Sequence, residues 1–176
     1  MKKYILNREF IKDGDAVLFY GNGIISGIIR WADKAYYSHV GIAKWQDERL
    51  FIIDAWTNGV ELVPMSRRMN IYSDFCVVRK KEIKEYTLKA SFGVLFEKIE
   101  RDQKYGYEGL WMRLLKLKLH IKTRFNSTFK EVCSDVACDF LITLGCSCYQ
   151  PVQLPSPEDI KRRASTRRIK QQQSRR

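Results

Sequence analysis

Histidine is nearly absent from this chain: two occur in 176 residues, His39 and His120. Chemistry that needs an imidazole therefore has two candidates. No run of about 18 apolar residues occurs, so no membrane-spanning helix is expected. The opening "MKKYILNREFIKDGD" is interrupted by Asn7, Arg8, Glu9 and Lys12, too broken for a signal-peptide core. The protein is expected to be made and kept in a cytosol, and a viral or phage origin would look the same. No C-x-x-C pair occurs among the cysteines, which number five: Cys76, Cys133, Cys138, Cys146 and Cys148. An odd count without an export signal argues against a disulfide framework. The spacing is poor for a metal site, so no metal or other cofactor is expected.

Negative charge is missing at the C-terminus. "KRRASTRRIKQQQSRR", residues 161–176, carries eight cations and no anion, which leaves +4 of the formal +12 for the rest. The chain divides accordingly into a domain over 1–159 and a basic tail over 160–176. With one Ile, one Ala and no aromatic residue from 161 onward, the tail cannot bury enough apolar area to order itself. It is expected to be a mobile arm whose partner is an anionic surface. The body is different. Hydrophobic residues make up 45% of the chain and aromatics 12%, enough for one packed domain.

Local patterning predicts a strand over 15–20, then a helix with Ile24, Ile25, Ile28, Ile29, Ala32 and Ala35 at helical spacing. "SHVGIAKW" and "LFIIDAW" read as two strands around a polar "QDER" connection. Asn58-Gly59 signals a tight turn into "VELVP", and "DFCVVRK" is a further strand. Residues 85–102 form a helix with Leu88, Phe92, Leu95, Phe96 and Ile99 on one side. "EVCSDVACDFLITLG" is another, with Val132, Val136, Phe140 and Leu144 every fourth residue and Gly145 as its C-terminal cap. The fold class is α+β, a small, mostly antiparallel sheet packed against helices.

Cys133 lies at or near the start of the last helix. Free backbone N–H groups and the helix dipole at such an end stabilise an anion, and the thiolate is the nucleophilic form of cysteine. The alternative is a small core residue flanking the apolar stripe. Cys138, mid-helix, and Cys76, in "FCVV", read as structural. A Cys–His pair needs an imidazole within reach and a third group to orient it. His120 sits among cations in "LKLKLHIKTRF", which disfavours imidazolium. His39 has a partner at hand. If the hairpin turn is Gln46-Asp47, His39 faces Asp54. If the loop is 46–49, Asp54 faces Gly41, one diagonal step away. Both registers put His39 and Asp54 on one face, where a one-residue slip would separate them. Directly opposed side chains have Cβ atoms about 5 Å apart, within reach of an imidazole–carboxylate hydrogen bond. Gly41 would keep that face unobstructed or let the cysteine helix pack close.

These residues resemble a known group. Gly14-Asp15 before a strand, "SHVGI", an acid in the next strand followed by "NGV", and a later "VCSDVA" are similar to the circularly permuted NlpC-type papain-like cysteine hydrolases. The YiiX-like branch is the nearest in pattern, and the lecithin:retinol acyltransferase group shares its histidine-before-cysteine order. The resemblance spans roughly residues 13–160. It implies a circularly permuted papain-like fold, Cys133 as nucleophile, His39 as base and Asp54 as the third polar residue. The branch often carries glutamate where Asp54 stands, and "YGYEGL" has Glu108 where the branch has aspartate. By the resemblance the protein is a cysteine hydrolase cleaving amide or ester bonds of peptides, peptidoglycan fragments or lipids. The alternative is a membrane-surface lipid acyltransferase or lipid-binding protein, motivated by the mixed basic and apolar segment 110–125.

Overall fold

The computed structural model describes residues 2–33, 35–56, 58–101, 133–145 and 166–168. Six strands form one antiparallel sheet: β1 (Ala16–Gly21), β2 (His39–Gln46), β3 (Arg49–Trp56), β4 (Gly59–Pro64), β5 (Tyr72–Lys80) and β6 (Thr166–Arg168), in the order β4-β3-β2-β1-β5-β6. The described helices are α1 (Lys2–Asn7), α2 (Ile24–Asp33), α3 (Met65–Met69), α4 (Glu85–Glu100) and α5 (Cys133–Thr143), with a 3-10 turn at Arg8–Phe10. The expected α+β class holds. None of the described helices is long and apolar enough to cross a membrane.

The sheet is covered on both faces, because its strands alternate two apolar sets. Leu18, Val40, Ile42, Ile53, Ala55 and Val78 point to one cluster, into which α4 contributes Phe92 and Leu95, α5 contributes Val136 and Phe140, and the turn after it contributes Leu144. Val17, Phe19, Ala43, Ile52, Phe75 and Val77 point the other way, against Tyr4, Ile11, Met65 and Met69. Cys76 and Cys138 both belong to the first cluster. Gly145, at φ 75°, takes the left-handed position after α5 and donates its N–H to the Ile142 carbonyl at 2.7 Å, the geometry expected of a glycine cap.

Four features go beyond the sequence reading or depart from it. The hairpin turn is Asp47-Glu48, both left-handed at φ 46° and 61°, with Gln46 opposite Arg49 and Trp45 opposite Leu50. The two-residue turn therefore sits one place later than Gln46-Asp47, yet the pairing equals that of the longer-loop alternative. In α2, Ile24, Ile25, Ile28 and Trp31 are exposed. A short helix, α3, stands between β4 and β5, where the sequence pattern assigned no element. Finally, Thr166–Arg168, within the segment expected to be a free arm, pairs with β5, Lys80 opposite Thr166. A strand ladder is made by backbone groups on an otherwise open edge, so the lack of apolar side chains does not prevent it. The boundary at 159/160, the segment 110–125, His120, Cys146 and Cys148 lie outside the described residues.

Candidate functional site

His39 is the first residue of β2 and is buried. Its Nε2 lies 2.6 Å from Asp54 Oδ2. The same-face expectation for these two residues is met, and Asp54 is fully buried in the middle of β3. The ring is packed as well as bonded. Tyr72 stacks on it at 5.4 Å with an interplanar angle of 9°, and Trp56 meets it edge-on at 5.4 Å and 85°. These contacts leave the imidazole little freedom to turn.

Cys133, at the start of α5, is the other group that acts on His39, near enough to help raise its pKa. An imidazole has two nitrogens. With Nε2 held by Asp54, a thiol acting on the ring would use Nδ1. The structure thus brings together all three residues singled out from the sequence. α5 packs on β2 and β3, which carries Cys133 to the end of β2 where His39 begins. Burial pulls the imidazole toward its neutral form. The negative charge of Cys133, hydrogen bonds to Asp54 and Cys133, and the charge of Asp54 outweigh burial and raise His39 to about 9. Burial likewise pushes Asp54 upward, but the His39 and Arg68 bonds and charges overcome it and hold the carboxyl below its usual range. The arrangement favours the imidazolium form of His39 against the Asp54 carboxylate.

Gly41 leaves space on the face it shares with Asp54. A Cβ there would lie 2.3 Å from Ile52 Cγ2 and 3.0 Å from Asp54 Cβ. The missing side chain makes room for β3, and Asp54 can therefore lie flat against β2 beside His39.

Arg68, on α3, was not singled out from the sequence. It donates from Nε to Asp54 Oδ2 at 2.8 Å and from Nη2 to Asp54 Oδ1 at 2.7 Å. Nη2 also reaches Glu61 Oε1 at 2.6 Å. The available signal was spacing: Met65, Arg68 and Met69 stand at i, i+3 and i+4, one face of a helix, and all three are buried. Asp15, from the Gly14-Asp15 motif, is a second buried carboxylate. It accepts the Lys12 N–H and a fork from Arg79 at 2.7 and 2.6 Å, a tie between the N-terminal segment and β5.

No family model matches the chain, and no curated protein matches it in sequence. Among solved structures it is similar to the metalloprotein YiiX from Escherichia coli O157:H7, of DUF1105. The TM-score is 0.59 at 15% identity, over 80% of this chain and 70% of that one. The likeness is one of fold. It supports the YiiX-like part of the resemblance read from the sequence.

Proposed function

We propose that the chain is a cysteine hydrolase of the circularly permuted, NlpC-type papain-like kind, acting on an amide or ester bond. One observation carries the reading: a buried imidazole whose Nε2 is fixed by a buried carboxylate at 2.6 Å and whose other partner is a cysteine at a helix start. A histidine meant only to pack would not need both an anionic acceptor and a thiol.

In the proposed reaction the Cys133 thiolate attacks the carbonyl carbon. A C–S bond forms, and the carbonyl π electrons move onto oxygen. The oxyanion lies within the field of the free N–H groups at the start of α5. The C–N or C–O bond then breaks, and the leaving group takes the proton from His39 Nδ1. Water next attacks the thioester, giving its proton to His39, and the acid departs as the thiolate reforms. Asp54 holds the ring and balances its positive charge throughout. YiiX is described as a metalloprotein. Among the described residues of this chain no group of three His, Cys, Asp or Glu side chains could hold a metal ion, and the steps above use the chain's own groups.

The test is a substrate panel of peptides, peptidoglycan fragments and acyl esters, read by intact-mass detection of an acyl adduct. The expected adduct sits on Cys133 and disappears in Cys133→Ala. Cys133 should also alkylate faster with iodoacetamide than Cys76 or Cys138, and His39→Ala should slow it. Equal labelling of the three cysteines, indifferent to His39, would falsify the reading.

A second reading, acyl transfer or lipid binding at a membrane surface, draws on the exposed Ile24, Ile25, Ile28 and Trp31 of α2, an apolar face shortly before His39 in the chain. Flotation with lipid vesicles, lost on Ile25→Glu with Trp31→Glu, together with acyl esters as the reactive members of the panel, would favour it. The basic tail is proposed to bind an anionic surface, with salt-sensitive binding that weakens on deletion of 169–176.

A further inference from the structure

We propose that Arg68 is a positioning residue of this site: one buried guanidinium clamps Asp54 and Glu61 together and so aims the aspartate at His39. The inference rests on the thiol–imidazole reading above. It concerns the orientation and charge of the ring, which can be observed whether or not Cys133 turns over a substrate.

Asp54 on β3 and Glu61 on β4 are direct cross-strand partners. Two carboxylates in that relation repel, and Asp54 is fully buried. Arg68 resolves the conflict. Met65 and Met69, on the same face of α3, are buried against the sheet and carry Arg68 in with them. Only 2% of its side chain is exposed, against 30% for Glu61. The fork of Nε and Nη2 takes both oxygens of Asp54, a geometry a guanidinium meets and an ammonium does not. Nη2 also holds Glu61.

The consequence for His39 lies in one shared atom. Asp54 Oδ2 accepts from Arg68 Nε and also meets His39 Nε2. Rotating the carboxylate away from His39 would break both Arg68 bonds. Trp56 reinforces the link, because the guanidinium sits 4.5 Å from its ring centroid while its edge meets the imidazole. Arg68 also draws on the charge of Asp54, and Glu61 in turn draws on Arg68. The groups facing His39 are Cys133 from α5, Asp54 from β3 and the Tyr72 phenol ring from β5. Arg68 from α3 and Glu61 from β4 act through Asp54.

Imidazole ¹⁵N–¹H spectra of the full chain read this directly, because there are only two histidines and His39→Ala identifies the signals of His39. In the native protein the Nε2–H of His39 should be protected and shifted downfield by its short bond. R68K keeps the charge but cannot span both oxygens. It should return that signal upfield and speed its exchange with water about tenfold or more. E61Q changes a partly exposed position. It frees Arg68 to lean wholly on Asp54, so the imidazolium loses support and its titration should move down by about half a unit. E61Q also carries the test if R68K does not fold. An Nε2–H unchanged in folded R68K, or a His39 titration unmoved or raised in E61Q, overturns the proposal. Cysteine labelling indifferent to His39 would instead sink the hydrolase reading and leave the Arg68 result standing.

Discussion

Replacing Asp54 by Asn puts the site's electrostatics to a quantitative test. The carboxylate takes two bonds from Arg68 and one from His39, all between 2.6 and 2.8 Å. An amide of the same shape has one acceptor. Turned to keep its oxygen on His39 Nε2 and Arg68 Nε, it points its NH₂ at Arg68 Nη2, donor against donor. The buried guanidinium is then left with Glu61 as its one anion. Breaking a buried pair from one side costs about 3–5 kcal/mol, which for a domain of this size is a fall in thermal midpoint of roughly 10 °C. His39 loses a charge-assisted bond worth about 1.5–3 kcal/mol, so its titration should fall by about one to two units. Removing the second charge separates the two effects. The double variant D54N/R68M carries no stranded guanidinium and should recover part of the stability, while the His39 titration stays low. Differential scanning calorimetry and imidazole NMR on the three proteins measure both quantities. If D54N melts within a degree of the native protein and His39 titrates as before, the carboxylate does not support the ring, and the reasoning fails.

Gly41→Ala should cost about 1–3 kcal/mol through overpacking, since the new methyl would meet Ile52 Cγ2 at 2.3 Å and Asp54 Cβ at 3.0 Å; urea denaturation reads the loss, and an unchanged midpoint would refute the fit. Glu48→Gly should stabilise by about 0.5–1 kcal/mol, because Glu48 holds φ 61° in the hairpin turn; a lower urea midpoint would count against it. Stability should also depend on pH through the site. His39 is raised above its unfolded value, to about 9, so its contribution of about 3 kcal/mol is complete below pH 6.5 and lost as pH rises toward 9. Asp54 is depressed, so its contribution is present above about pH 4 and lost as pH falls through its folded value. Urea titrations at pH 6 and 9.5 should differ in the native protein and lose most of that difference in His39→Gln.

The pairing of His39 with Asp54 was legible because strand periodicity is two. Any register that keeps both residues on one face brings them within a diagonal of each other, so the relation survived an error in the turn. The turn itself was illegible for a related reason. Asp47-Glu48 contains no glycine, yet both residues are left-handed, and the signals that mark such turns point elsewhere. Helical spacing in α2 identified a helix but said nothing of what would cover it, and Ile24 and Trp31 stand exposed. Arg67 and Arg68 are neighbours of one kind in the sequence. Only the packing of α3 makes one exposed and the other buried. The approach of Cys133 to His39 is tertiary. No local pattern contains it: residue types offered Cys133 and His39 as a candidate pair, and the family resemblance pointed the same way.

The charge cluster is hard to explain as scaffolding. Ion pairs taken out of water gain little or nothing over apolar side chains of similar volume. The surrounding residues, Ile52, Met65, Met69 and Phe19, are of the apolar kind that would fill the space. Folding by itself would be served as well by extending that cluster through positions 39, 54 and 68. Instead the sheet gives up a side chain at Gly41 to admit Asp54, and α3 carries an arginine inward between two buried methionines. The two anions around that arginine leave one net negative charge facing the imidazole, and the imidazole faces a thiol. On the proposed reading, a positive ring beside a sulfur atom is what a nucleophilic cysteine requires. The proposed nucleophile chemistry would account for the cluster where stability does not, and the recovery of stability without recovery of the His39 titration in D54N/R68M is the measurement that would separate the two.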